Sequence, residues 1–105
     1  MVKFCVIYEG RPEDCEKFDR HYWEKHLPIV ARWPGLRRLT LNKARQLNEG
    51  IYMIAEMYFD DLNGLETALA SPERREAGQD RLRFPNFYGT IRYQVLEIRD
   101  YPIRT

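Results

Sequence analysis

Residues 18–28 read Phe-Asp-Arg-His-Tyr-Trp-Glu-Lys-His-Leu-Pro, and this segment contains both histidines of the chain. On a helix with about 100° between successive residues, His26 lies at the centre of a mainly apolar stripe, which we expect to be buried. His21 falls on the opposite side, among charged residues typical of a solvated face. A buried ionisable ring is either held in the core or lines a cavity, so His26 is the first candidate functional residue. The members of the stripe are Cys15, Phe18, Tyr22, His26, Ile29 and Trp33.

The composition indicates one globular domain that spans residues 1–105. With 44% hydrophobic and 31% charged side chains, 105 residues suffice for one core. The 17 basic and 16 acidic side chains are well mixed, which argues against a nucleic-acid or membrane partner and favours a neutral or weakly polar small molecule.

Cys5 and Cys15 have no metal-binding spacing, so we expect reduced thiols and no metal. The N-terminal apolar run is too short to span a bilayer, so we expect a cytoplasmic protein.

The order of the predicted elements indicates an α+β fold of the ferredoxin-like kind, βαββαβ, with a four-stranded antiparallel sheet. Pro12 suits the first turn of helix 1, and Pro28 predicts a bend or break between about Lys25 and Pro28. Asp60 or Asp61 can cap the next helix, and Ser71 with Pro72 begins another. The predicted strands cover residues 2–8, 36–44, 51–59 and 90–98, with a hairpin loop at 46–50.

Two of these strands, 2–8 and 51–59, are apolar on both faces, apart from Glu56. A ferredoxin-like sheet carries helices on one face only, so the other face needs a cover that this short chain cannot supply. The economical cover is a second copy of the chain, and we therefore expect a homodimer.

Glu56 is the second candidate catalytic residue. It could orient His26, line the interior between two sheets, or pair with an arginine across the dimer. The alternative for His26 is a purely structural role. Because Pro28 has no backbone N–H, one carbonyl of the preceding turn lacks its helical partner, and the His26 ring could bond that carbonyl. Several aromatic side chains could stack on a flat ligand or could simply form core. These candidate ligand-binding residues are Tyr22, Trp23, Trp33, Tyr58, Phe84 and Phe87.

Four segments of the chain resemble the EthD family of dimeric α+β barrel proteins. They are Tyr22-Trp23 with His26-Leu27-Pro28, Pro34 to Arg38, Ala55 to Asp60, and Ala70 to Glu73 with Asp80 beyond. The resemblance spans nearly the whole chain and implies a homodimer in which two ferredoxin-like sheets close a barrel. It also implies a pocket in each subunit between the sheet and helix 1. Residues 72–83 are more charged than the family pattern, so the resemblance carries no role onto Asp80.

The resemblance implies less about chemistry, because EthD proteins share no agreed reaction. Structurally related proteins include cofactor-free monooxygenases, lactone isomerases, polyketide cyclases and haem-degrading enzymes. The Asn, Trp and His residues that the resemblance to the haem-degrading enzymes implies are not matched in spacing by this chain. The expected function is a cofactor-independent lyase, isomerase or oxygenase that acts on an aromatic or polyketide-like molecule in catabolic or secondary metabolism. His26, with a pKa near neutrality, would transfer the proton. The alternative is a non-catalytic protein that binds such a molecule for a partner oxidase.

Overall fold

A computed structural model of the chain describes residues 1–46 and 50–104. Its four strands form one antiparallel sheet in the order β2-β3-β1-β4, and its helices lie in the two crossovers. This is the ferredoxin-like βαββαβ arrangement that the sequence predicts. The elements are β1 (Val2–Pro12), α1 (Cys15–His21), a π-helical turn (Tyr22–His26), α2 (Leu27–Val30), β2 (Arg38–Lys43), β3 (Ile51–Phe59), α3 (Leu62–Leu69), α4 (Pro72–Arg81) and β4 (Phe87–Glu97).

Side-chain caps fix the starts of three helices. Asp14 accepts from the backbone N–H of Lys17 to begin α1, Asp61 accepts from Gly64 to begin α3, and Ser71 accepts from Arg74 to begin α4. The expected roles of Ser71 and Pro72 are confirmed, and Asp61 rather than Asp60 caps α3. The prediction for Pro12 was wrong. Pro12 is the last residue of β1, where it faces Phe87 of β4, and α1 starts after the Asp14 cap instead.

The register of the sheet separates its side chains into two layers. Phe4, Val6 and Tyr8 of β1 lie opposite Met57, Ala55 and Met53 of β3, and all six are buried on the face that carries the helices. Between them, Lys3, Cys5 and Ile7 lie opposite Tyr58, Glu56 and Ile54 on the outer face. Alternation along the strands thus sends the core residues and Glu56 to opposite sides.

The outer face is more polar than the sequence interpretation held. Lys3, Thr40, Asn42 and Tyr58 all donate hydrogen bonds to the carboxylate of Glu56, with Nζ of Lys3 at 2.6 Å. Two of these donors, Thr40 and Asn42, come from β2, which pairs with the otherwise apolar β3. The predicted hairpin loop at 46–50 lies largely outside the described residues.

Candidate functional site

A cavity of about 210 Å³ lies between the helix-bearing face of the sheet and the helices. β1 and β3 supply its floor, while the π-helical turn, α2 and α4 supply its walls. His26 and Tyr22 are part of the wall, and Tyr8 and Tyr93 bring further ring surfaces from the sheet. Most of the lining is apolar and includes Phe4, Val6, Leu27, Val30, Trp33 and Met57. A mainly apolar cavity with a few polar groups is typical of a small-molecule site.

The π-helical turn changes the direction in which the two histidines point. On a regular α-helix, positions five apart lie about 140° apart, which is why the sequence places His21 among solvated residues. A π-helical turn bonds residues five apart instead, as Leu27 N–H does to Tyr22 C=O, and so brings such positions to one side. His21 and His26 therefore face the same neighbour. The expected outward orientation of His21 was wrong, since its side chain is only 19% exposed.

That neighbour is Asp80 of α4, and it accepts hydrogen bonds from both rings. Its Oδ2 lies 2.9 Å from Nδ1 of His26 and 3.1 Å from Nε2 of His21. An ionised carboxylate can only accept, so His26 carries its proton on Nδ1 and His21 carries one on Nε2. The lone pair of His26 is consequently on Nε2, and no side chain in the described part of the chain bonds that atom. His26 is thus oriented as a base by a buried carboxylate.

Burial lowers the pKa of the His26 ring, because desolvation outweighs the attraction of Asp80. The charges of His21 and Arg81 act in the same direction as burial. Phe84 stands edge-on to the ring with 4.7 Å between centroids, and Tyr22 lies at 5.0 Å. His26 is therefore neutral near pH 7 and can accept a proton there.

Two phenols complete the wall beside His26. The hydroxyls of Tyr8 and Tyr22 are hydrogen-bonded across 3.3 Å, and when Tyr8 is the donor the Tyr22 proton is free for a ligand. Burial raises the pKa of Tyr8 to about 12 and raises that of Tyr22 as well. Tyr22 therefore stays protonated and can donate a hydrogen bond to a ligand oxygen.

Trp33 lines the cavity, but its indole nitrogen is enclosed by protein. Its Nε1–H is buried and has no hydrogen-bond partner within residues 1–46 and 50–104. Unsatisfied buried donors are uncommon in folded proteins, because each costs free energy.

The structure brings some of the predicted site residues together and separates others. His26, Tyr22 and Trp33 line the cavity, and Phe84 packs directly against the His26 ring. Phe87 lies one layer away, against Tyr8 and Phe18, rather than on the cavity wall.

Trp23, Tyr58 and Glu56 lie apart from this cavity. The Trp23 side chain is 65% exposed on the helix surface, and Tyr58 lies on the outer face of the sheet. Glu56 does not orient His26, because it lies on that same outer face, where Lys3 of its own chain bonds its carboxylate. Burial alone would raise the pKa of Glu56, but Lys3, Asn42 and Tyr58 lower it below its usual value.

Sequence reasoning missed Asp80 as the partner of His26. The helical pattern of residues 72–81 is charged along most of its length, so one buried carboxylate does not stand out. One signal was available: Ala77 and Asp80, three positions apart, form the buried side of α4. The structure also shows no helix long and apolar enough to cross a membrane, and no metal-binding cluster of His, Cys, Asp or Glu, in the part of the chain that it describes.

Fold and site together define a ferredoxin-like α+β protein with a mainly apolar cavity whose wall includes a histidine held from behind by a buried carboxylate. The EthD domain family model matches residues 11–87, and the chain belongs to that family. An uncharacterised 11.0 kDa protein from the thcB-thcC intergenic region of Rhodococcus erythropolis is 32% identical over 87 residues, which cover 80% of this chain and 84% of that protein.

Two solved structures extend the comparison. An EthD-family protein from Bacillus halodurans C-125 is 30% identical, with a TM-score of 0.83 over 94% of this chain and 99% of its own. SnoaB, a cofactor-independent oxygenase from Streptomyces nogalater, is 19% identical, with a TM-score of 0.69 over 95% of this chain and 94% of its own. The likeness to SnoaB shows that the fold is one that an enzyme of that kind uses.

Proposed function

We propose that this protein is a small, cofactor-independent enzyme that transfers a proton on an aromatic or polyketide-like molecule. The observation that carries the proposal is that His26 lines a mainly apolar cavity while the buried Asp80 behind it holds its ring. SnoaB supports it, since that enzyme works without a cofactor on the same fold. The step fits an isomerase, a lyase or an oxygenase, because each of these reactions can begin with an enolate or phenolate.

In the proposed step, Nε2 of His26 takes a proton from a carbon next to a carbonyl group, or from a phenol. The electron pair of the broken bond moves onto the ligand oxygen, and the Tyr22 O–H donates a hydrogen bond to that oxygen. Asp80 holds the ring and stabilises the imidazolium that forms. Return of the proton to another atom gives an isomer, with no net change in composition.

Exchange of the acidic C–H of anthrone in D₂O, followed by proton NMR, tests this step without knowledge of the final product. We expect the wild-type protein to accelerate exchange and His26→Gln to slow it by about 100- to 10,000-fold, the usual contribution of a general base. Asp80→Asn should slow it by about 10- to 100-fold, because it removes the charge that orients the ring.

Lys25→Gln is a matched control, since Lys25 is the exposed neighbour of His26 in sequence. Circular dichroism confirms that each variant is folded. Wild-type exchange rates in folded His26→Gln would exclude His26 as the base. If the wild-type protein binds anthrone but never accelerates exchange, the protein is the binding protein of the alternative hypothesis and not an enzyme.

We further propose that two copies pair through the outer face of the sheet. No helix covers this face in the described chain, yet Cys5 is buried there, and Ile7 and Ile54 lie opposite each other half-buried. The network around Glu56 satisfies the polar groups of the same face internally, which reduces the cost of covering it. The site would then lie on the helix-bearing side of each subunit.

A further inference from the structure

Helix α4 presents two arginines to the cavity. Arg74, Gly78 and Arg81 all line it, and their spacing of four and three residues places them on one side of the helix. Both arginines are exposed, so they lie at the opening rather than in the apolar interior. Gly78 between them has open space where a side chain would stand. The opening is therefore bordered by two guanidinium groups with room between them.

These two arginines differ from others in the chain in their partners. Arg81 donates to the hydroxyl of Tyr93 and stands over its ring at 5.5 Å, and neither it nor Arg74 meets a carboxylate in the described residues. Four other arginines each bond a carboxylate at 2.8 or 2.9 Å. Those pairs are Arg20 with Glu16, Arg32 with Glu76, Arg37 with Asp60 and Arg92 with Glu9.

The charge around the cavity is therefore one-sided. No acidic residue is among those that line it, and His26 is neutral near pH 7. The Asp80 side chain is buried behind His26 and accepts hydrogen bonds from both histidines. The contact of Arg81 with the Tyr93 ring holds its guanidinium at the opening, where Tyr93 stacks on Phe4 with 5.7 Å between centroids. An anion at this position would meet two cations that lack a protein counter-charge.

We propose that Arg74 and Arg81 bind the carboxylate of an aromatic acid whose ring system occupies the cavity. Guanidinium groups bind carboxylates through paired N–H donors, and the low-dielectric cavity beside them strengthens the attraction. An apolar cavity of about 150 Å³ binds benzene, so one of 210 Å³ has room for a substituted benzene or a small fused ring. Aromatic acids are thus the substrate class that we infer for the proposed function. The inference rests on that proposed function, because it assumes that an aromatic ring occupies the cavity.

Calorimetric titration with 2-naphthoate and with its neutral counterpart 2-naphthamide tests the inference. We expect the wild-type protein to bind 2-naphthoate at least about tenfold more tightly. Arg74→Gln and Arg81→Gln should each lower the affinity for 2-naphthoate by about five- to tenfold. The loss is modest because both guanidinium groups are exposed. Both variants should weaken the binding of 2-naphthamide less than they weaken the binding of 2-naphthoate. Thermal unfolding shows whether Arg81→Gln remains folded without its contact to Tyr93.

Arg75→Gln is the matched control, because Arg75 is exposed on the same helix but does not line the cavity. It should leave both affinities unchanged. Equal binding of the acid and the amide by wild-type protein would overturn the anion site and leave the proposed function standing. If Arg75→Gln lowered the affinity for 2-naphthoate as much as Arg74→Gln does, the attraction would come from the overall positive charge of the helix. That result would also overturn the anion site. Binding of neither compound would overturn both proposals.

Discussion

Asp80 is the residue on which the chemistry of the site depends, because it serves two imidazoles with a single oxygen. Oδ2 meets Nδ1 of His26 and Nε2 of His21, so the carboxylate fixes the tautomer of both rings at once. Its charge favours protonation of His26, while burial of the ring disfavours it more strongly. The result is a base that is kept neutral by desolvation and kept oriented by an ion.

The lowered pKa of His26 predicts a loss of stability in mild acid. In the unfolded chain His26 has its ordinary pKa near 6.5 and takes up a proton more readily than in the fold. The free energy of unfolding should therefore be highest above about pH 6.5 and fall as the pH drops through the lowered pKa. Asp80, His21 and Arg81 are the charged or titratable groups that act on the ring.

Denaturant unfolding between pH 7.5 and pH 5 measures this effect, and His26→Gln should flatten the dependence because glutamine does not titrate. Keeping the pH above 5 limits the contribution of ordinary carboxylates. A pH dependence as steep in His26→Gln as in the wild type would show that another group is responsible.

At the scale of elements, the long β1–β4 pair depends on two glycines that face each other. Gly10 and Gly89 are paired in the register and have φ angles of 133° and 148°. A side chain on either would meet the backbone of the opposite strand. Glycine is needed here both for the backbone conformation and for the close approach of the strands.

Gly89→Ala should lower the free energy of unfolding by about 1–3 kcal/mol, because alanine is strained at this φ and collides with Glu9. Gly78→Ala is the contrasting variant, since Gly78 lies in α4 with open space around it and alanine favours helix. It should gain about 0.5–1 kcal/mol. Chemical denaturation measures both changes, and equal effects of the two substitutions would contradict the steric argument.

The elements also show what the sequence can and cannot predict. The order of strands and helices along the chain, the cap at Ser71 and the burial of His26 on its stripe follow from local patterns, whereas the cap of α3 was predicted only as Asp60 or Asp61. The partnership of His26 with Asp80 does not, because it joins residues 54 positions apart and needs a wide turn that Pro28 indicates only as an irregularity. Glu56 looked equally conspicuous in sequence, and only the pleat of β3 decides which face it occupies.

The whole molecule has a covered face and an uncovered one, and this predicts assembly. Ile7→Glu would place a charge at the centre of the outer face, beside Ile54, where a second copy would have to desolvate it. We expect the wild-type protein to sediment as a dimer at micromolar concentration and Ile7→Glu as a folded monomer.

Leu82→Glu serves as the control, since Leu82 is 88% exposed after α4, on the helix-bearing side and not on the outer face of the sheet. This variant should sediment like the wild type. A monomeric wild-type protein at the same concentration would refute the pairing of outer faces.

The π-helical turn has a consequence for comparing this chain with its relatives. A wide turn uses one residue more than an α-helical turn to reach the same height, so it is geometrically equivalent to a one-residue insertion. Where a relative runs as an unbroken α-helix, a gap-free alignment through residues 22–26 would equate residues on different sides of the helix. The gap belongs inside that turn, and placing it elsewhere would hide whether the relative keeps both histidines on the same carboxylate.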